Sequence, residues 1–419
     1  MRLNTRCTRF RTLAFEPLES RTLLDAKLTN VILMIGDGMG FEQVEAGRMY
    51  LGGHIAFDDL PHQAEMTTHS ANSTITDSAA AATAMATGQK VSNGVISTAI
   101  PGDGSELTTA LEILRDRGKA TGLVTTTNIT HATPGAFGAH AVSRGHTADI
   151  AGDLLGQTRP DVIFGGGGGS MTVAAAAAAG YTVVQDAIGL ATLDTLGMSL
   201  VSGQFGSGYM PYEYDGLGDL PHLSKMTAAA LSVLDNDPDG FFLMVEGGRI
   251  DHAGHANDVR RSVRETAEFA RSVETVLKWA NGRTDTLLIV TADHETGGMQ
   301  VVADNGPGLA PEVTWSTGGH TGVNVPIYAW GTTSELVTGV LDNTNVFGLV
   351  TTTIEYGNAI GPPDPADGVP LGLDVYELSL APWLIDLSST FSHSSEETGR
   401  AAPDATVDLL IAIGAWGDL

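Results

Sequence analysis

Three short segments, far apart in the chain, carry carboxylates and imidazoles directly after apolar runs. Gly36-Asp37-Gly38-Met39-Gly40 follows Val31–Ile35. Glu246-Gly247-Gly248-Arg249-Ile250-Asp251-His252-Ala253-Gly254-His255 follows Phe241–Val245. Thr291-Ala292-Asp293-His294-Glu295-Thr296 follows Thr286–Val290. Each run reads as a buried strand, and open α/β sheets bind their ligands at the carboxyl ends of strands. Asp251 and His255 are four residues apart, so on a helical turn they share a face and can reach one cation. A carboxylate paired with an imidazole suits Zn²⁺. Asp293 and His294 are adjacent and can serve one ion only where the backbone leaves a strand. A fourth segment, Thr76-Asp77-Ser78 before Ala79–Ala82, puts a serine at a helix start. There the helix dipole and free N–H groups favour an anion. No Ser–His–Asp spacing lies nearby, so activation of Ser78 by a metal ion fits better than activation by a histidine base. Taken together, the four segments point to a metal-activated serine nucleophile and to phosphate ester chemistry.

Each piece has a plainer reading when taken alone. A Gly-Asp-Gly turn around Asp37 is more often only a turn. A serine at a helix N-terminus is usually a cap. His320, in Gly318-Gly319-His320-Thr321-Gly322, is a lone histidine in a flexible loop. Two carboxylate–imidazole pairs after two apolar strands tip the balance towards a site.

The elements that must position these residues alternate along the chain. Further strands are expected at Thr121–Thr126, Val162–Phe164, Thr182–Val184 and Val325–Ala329. Most of these runs are apolar without strict alternation, as strands covered on both faces are. Helical spacing predicts helices over Ser105–Arg117, His146–Gln157 and Leu223–Leu234. The longest is expected over Asn257–Ala280, with Val259, Val263, Ala267, Ala270, Val273 and Leu277 on one stripe and Asn257 as its N-cap. Such alternation implies an α/β protein, a mostly parallel sheet between helical layers. The run Gly165–Gly169 before Ala174–Ala179 lacks a P-loop lysine and reads as a plain turn into an alanine-rich helix.

Composition narrows the partners. The 419 residues are 42% hydrophobic and only 17% charged, which suits a close-packed core. A formal net charge of -27 argues against nucleic acid as the main partner, since phosphate backbones need clustered Lys and Arg. An anionic substrate must then be attracted locally, by metal ions or a buried arginine. The only cysteine is Cys7, which rules out an intramolecular disulfide and thiolate metal sites in the body of the chain. Residues 1–27 hold six of the 22 Lys and Arg, without an apolar signal-peptide core of ordinary length. The stretch Phe15–Leu24 resembles a short N-terminal motif of certain bacterial exported or surface proteins. No run reaches the roughly 18 apolar residues of a membrane span. Residues 361–368 read as a linker, and Val407–Trp416 as an apolar patch within the tail 361–419.

Asp37, Thr76-Asp77-Ser78, His131-Ala132-Thr133-Pro134, Arg144, Glu246 to His255, Asp293-His294 and His320-Thr321-Gly322 together resemble the alkaline phosphatase family, in order, over about residues 28–360. The resemblance implies a three-layer α/β/α sandwich around a large, mostly parallel sheet. It implies one zinc held by Asp251, His255 and His320, and a second held by Asp37, Asp293 and His294 beside the nucleophile Ser78. A third site, usually magnesium, would use Asp37, Thr133 and Glu246. Arg144 would clamp two phosphoryl oxygens of a small phosphomonoester, and a phosphoserine would form on Ser78. His131 and His252 stand where family members differ; they are expected near the substrate and the third site rather than as principal ligands. A periplasmic, extracellular or cell-surface location and a homodimer are also what the resemblance implies. A sulfatase of the same superfamily would need a Cys/Ser-x-Pro-x-Arg context, which Ser78-Ala79-Ala80-Ala81-Ala82 does not supply.

Overall fold

The structure, a computed structural model, describes residues 28–352. The expected N-terminal segment 1–27 and the linker and tail 361–419 lie outside the described residues. The strands are β1 (Asn30–Ile35), β2 (His62–Thr67), β3 (Ala120–Asn128), β4 (Val162–Gly166), β5 (Thr182–Val184), β6 (Val201–Gln204) and β7 (Phe241–Glu246). They continue with β8 (Thr286–Thr291), β9 (Glu295–Thr296), β10 (Met299–Ala303), β11 (Glu312–Trp315), β12 (His320–Thr321), β13 (Val325–Gly331) and β14 (Val340–Asp342). The helices are α1 (Phe41–Tyr50), α2 (Ser78–Thr87), α3 (Ala110–Asp116), α4 (Ala132–Gly138), α5 (Thr147–Gly156) and α6 (Val173–Ala178). After them come α7 (Ala187–Ala191), α8 (Leu223–Leu234), α9 (Arg249–His255), α10 (Val259–Ala280) and α11 (Asn345–Thr352).

Ten strands form one sheet in the order β14-β2-β13-β8-β1-β7-β3-β4-β6-β5. All neighbours are parallel except β13, which runs antiparallel to β8 and β2. The three central strands β1, β7 and β8 are buried at every residue. That requires a layer on each face of the sheet. Helices α1, α8, α9 and α10 pack on one another as one group, and α2, α3, α4, α5 and α11 as another. The expected three-layer α/β/α sandwich with a large, mostly parallel sheet is the observed fold.

Helix α10 carries the longest amphipathic stripe. Val263, Phe269, Ala270, Val273 and Val276 are buried along it. Each large apolar side chain so placed contributes about 1.5–3 kcal/mol. Its cap is one residue later than expected. Asp258 accepts hydrogen bonds from the Arg260 and Arg261 backbone N–H groups. Asn257 instead adopts a positive φ of 52° in the preceding turn, where Asn is tolerated better than most residues. Such a cap stabilises a helix by about 1 kcal/mol.

The predicted helix over Ser105–Arg117 is also shorter. It starts at Ala110, behind a Thr109–Glu112 capping box. The residues before it are used in extended pairing, Thr98 bridging Glu106 and the Leu107 N–H donating to Ser97 O.

Candidate active site

Sheet order brings the chemistry together. β1 lies between β7 and β8, and the register pairs Ile35 with Glu246 on one side and with Thr291 on the other. Asp37, Glu246 and Asp293 therefore leave three adjacent strands at the same level. Gly38 makes the turn after Asp37 with φ +73°, and a Cβ there would stand 2.8 Å from the Asp251 Cα. Only glycine lets β1 turn this close to α9. The Gly38 N–H then donates to Asp293 Oδ1 at 3.1 Å. Asp37, Glu246, Asp293 and His294 are fully buried, and Asp251 nearly so.

The imidazoles are oriented by their far nitrogens. His255 Nδ1 is 2.7 Å from Gly318 O, and His320 Nδ1 is 2.9 Å from Thr76 O. His294 Nδ1 lies 3.2 Å from Thr296 Oγ1. In each ring the Nε2 is left facing the site, the arrangement typical of metal-ligating histidine. His255 Nε2 stands 3.4 Å from Asp251 Oδ2, His320 Nε2 stands 3.5 Å from Asp251 Oδ1, and the two Nε2 atoms are 3.1 Å apart. His294 Nε2 is 3.3 Å from Asp293 Oδ2 and 3.5 Å from Asp37 Oδ1.

Ser78 is the first residue of α2, and Asp77 caps that helix by accepting from the Ala80 N–H. Ser78 Oγ lies 3.3 Å from His294 Nε2. Asp77 has a second use, accepting from Arg144 Nη1 at 3.0 Å. Arg144 Nη2 is 3.1 Å from His131 Nε2. The guanidinium is thus aimed across the site rather than left free.

Several buried atoms make no hydrogen bond. At the site they include both carboxylate oxygens of Asp37, Asp293 Oδ2, Glu246 Oε1, Thr133 Oγ1 and His131 Nδ1. Orphaned buried polar atoms are costly, about 1–3 kcal/mol each and more when charged. Here most are hard oxygen donors that converge. Donor atoms of Asp251, His294 and His320 lie within 4.8 Å of one another, as do those of Asp37, Asp293 and His294. Those of Asp37, His131 and Glu246 do the same. The residues present therefore fit divalent cations. A fourth group, Glu213, His222 and Glu268, is already partnered by protein groups. Glu213 pairs with His222 at 2.8 Å, and Glu268 accepts from the Ser224 N–H and Arg271.

The electrostatics point the same way. Burial, then Asp293, Asp251 and Glu246, holds Asp37 well above the carboxylate range. Burial pushes Glu246 up to about 7 and Asp293 up to about 6. It pushes His294 and His131 down to about 3. Asp251 is the exception: burial raises it, but His320, His294 and His255 hold it far below the usual range.

Raised carboxyl groups favour the folded state fully below about pH 4, and that advantage is lost as pH rises through 6 to 7. The depressed imidazoles act oppositely, but only below their ordinary value of about 6.5. Metal-free protein is therefore expected to lose thermal stability between pH 6.5 and 8 relative to metal-loaded protein. Melting curves at both pH values, with and without divalent metal, check this; parallel behaviour of the two forms would contradict it.

The structure brings the predicted site residues near one another, but its first donor group joins Asp251 and His320 to His294, where His255 was the expected third member. It puts His131 closer to the third group than expected, with Asp37 and Glu246. It also adds residues that spacing did not reveal. Thr125 and Thr127 donate to Glu246 Oε2, and Thr296 Oγ1 donates to Asp251 Oδ1 at 2.5 Å. Arg249 Nη1 is 2.6 Å from His252 Nδ1, and its guanidinium lies 3.7 Å from the Tyr212 ring centre. The only signal in the sequence for the threonines was their place at strand ends; none marked Arg249.

Comparison with known proteins gives one consistent answer. The family model described as alkaline phosphatase matches residues 28–312 and 309–356. Alkaline phosphatase 3 of Bacillus subtilis (strain 168) is 34% identical over 420 residues, covering 79% of this chain and 90% of that protein. Streptomycin-6-phosphate phosphatase of Streptomyces griseus is 34% identical over 411 residues, covering 78% and 91%. Among solved structures, alkaline phosphatase from the Antarctic bacterium TAB5 matches with a TM-score of 0.70 at 29% identity, covering 79% of this chain and all of that one. A histidine-to-aspartate variant of that enzyme, solved with Mg bound, also matches with a TM-score of 0.70 at 29% identity, covering 79% and 99%.

Proposed function

The chain belongs to the alkaline phosphatase family, a family of metal-dependent hydrolases, and from that premise we propose that it hydrolyses phosphate monoesters through a phosphoserine on Ser78. Two zinc ions and one magnesium are the proposed cofactors. Asp251, His255 and His320 would hold one zinc, and Asp37, Asp293 and His294 the other. Asp37, Thr133 and Glu246 would hold magnesium, with His131 beside them. The observation that carries this reading is the convergence of orphaned, buried donor atoms around Ser78 Oγ. Bound there, divalent cations lower the pKa of the serine hydroxyl and neutralise charge on the leaving oxygen.

The chain's own residues do the rest. Arg144, steadied by Asp77, presents two N–H donors to two phosphoryl oxygens. That favours monoesters, which offer two free charged oxygens. Ser78 Oγ attacks phosphorus in line as its hydroxyl proton passes to water, the P–O bond to the alcohol breaks, and the alcohol oxygen takes that proton back from water. A second water then attacks phosphorus, restoring the Ser78 hydroxyl and releasing inorganic phosphate. Burial around Asp37, Asp293 and His294 keeps bulk water from the nucleophile's inner side.

Arg144→Ala is expected to lower kcat/KM for an aryl phosphomonoester by on the order of 10²- to 10³-fold, the loss typical of a charge-stabilising donor. A phosphodiester should lose far less, because it carries one negative charge where the monoester dianion carries two. Steady-state kinetics on both ester types would check this, and an equal loss would sink the clamp. Wild-type protein that cleaves diesters faster than monoesters would replace this reading with a diesterase. The likeness to bacterial alkaline phosphatases supports a proposed location in the periplasm, outside the cell or at its surface. Among the described residues no helix is long and apolar enough to cross a membrane.

A further inference from the structure

The glycine run after β4 is more than a plain turn. Gly167 N–H donates to Gly206 O at 3.2 Å. A Cβ on Gly166 would stand 1.8 Å from Gly208 O, one on Gly167 2.8 Å from Gly206 O, and one on Gly168 2.9 Å from Ser207 O. Residues 166–168 thus form a slot into which residues 206–208 fit backbone to backbone, with no room for a side chain. Just beyond, the Met210 N–H donates to Thr126 O at 3.1 Å. Tyr209 is held between these two fixed points.

Its ring stands 4.5 Å from the His252 ring and 5.8 Å, edge-on, from the His131 ring. His131 in turn touches Arg144. Tyr209 is therefore one imidazole away from the phosphate clamp. Yet it is 48% exposed, so core packing does not account for it. The neighbouring walls are charged or polar, from Arg144, His131, His252 and Arg249. Tyr209 offers a broad, solvent-facing carbon surface beside them.

We propose that Tyr209 is a specificity-determining residue that stacks on the leaving group and selects phosphomonoesters of aromatic alcohols. This rests on the phosphomonoesterase reading above. The Arg249 guanidinium lies over the ring, 5.5 Å from its centre, and an aromatic leaving group laid against the exposed part of the ring gains an offset or edge-to-face contact that an aliphatic one of equal size does not. The gain adds to binding of the ester and carries into the transition state, because the ring does not touch the reacting bond.

The test uses two substrates of matched leaving-group acidity, benzyl phosphate and an aliphatic primary alkyl phosphate of similar size. Wild-type protein is expected to prefer the benzyl ester by about 3- to 10-fold in kcat/KM, the range that an aromatic contact supplies. Tyr209→Ala should bring that ratio close to one, and Tyr209→Phe should keep it. A fall of both esters by the same factor in Tyr209→Ala would assign the ring to holding His252 in place and overturn the proposal. So would an unchanged ratio. Turnover of neither ester by metal-loaded wild-type protein would overturn the phosphomonoesterase reading itself, a result distinct from either of these.

Discussion

Ser78→Ala is expected to lower phosphomonoester turnover by on the order of 10⁴-fold or more while leaving bound metal unchanged. Loss of a nucleophile removes the covalent route entirely, and only positioning and charge stabilisation remain. The fold should tolerate the change. Ser78 begins an alanine-rich helix whose cap is Asp77, not Ser78, and alanine is the best helix former. The proposed metal donors are Asp37, Thr133, Glu246, Asp251, Asp293 and the histidines, so metal content should not move. Kinetics beside elemental analysis of the variant will decide. Retained activity would remove Ser78 from the mechanism, and lost metal would make it a structural ligand.

Asp37→Asn carries the second large effect, because Asp37 belongs to two donor groups at once. The amide cannot bridge two cations as a carboxylate does. We expect metal content to fall by more than one ion per chain and turnover by at least about 10³-fold, since charge stabilisation by the cations is lost. Stability should move in opposite directions in the two forms. In metal-free protein the substitution removes a buried carboxyl whose ionisation burial, Asp293, Asp251 and Glu246 oppose, so the melting temperature above neutral pH should rise. In metal-supplemented protein it should fall, because binding no longer favours the folded state. A uniform shift in both forms would show that Asp37 has only a packing role.

Much of this arrangement was legible in the sequence because the physics there is local. β1, β7 and β8 are continuous apolar runs since both faces are buried. Their carboxyl ends announce Asp37, Glu246 and Asp293 directly. Asp251 and His255 follow from helical spacing on α9. What escaped depends on register between distant segments. β2, His62–Thr67, is polar and only partly buried, so it resembles a loop until β13 pairs with it. β6 is short, with Ser202, Gly203 and Gln204 among its four residues. The spacing predicts too long a helix before β3 because Leu107 fits its stripe, although the Leu107 N–H is taken by pairing with Ser97. The site's supporting contacts were hidden for the same reason. Asp77 orienting Arg144 spans 67 residues, and the slot that presents Tyr209 joins 166–168 to 206–208. Neither leaves a pattern in local spacing. The glycine run did show in the sequence, but its purpose needed its partner.

The most direct measurement is hydrolysis of a chromogenic aryl phosphate at alkaline pH by one preparation in three states: as purified, after chelation, and after zinc and magnesium are restored. Turnover should vanish on chelation and return with the metals, in step with recovery of bound ions. Turnover that survives complete chelation, or that stays absent in fully metal-loaded protein, would contradict a metal-dependent phosphomonoesterase at this site.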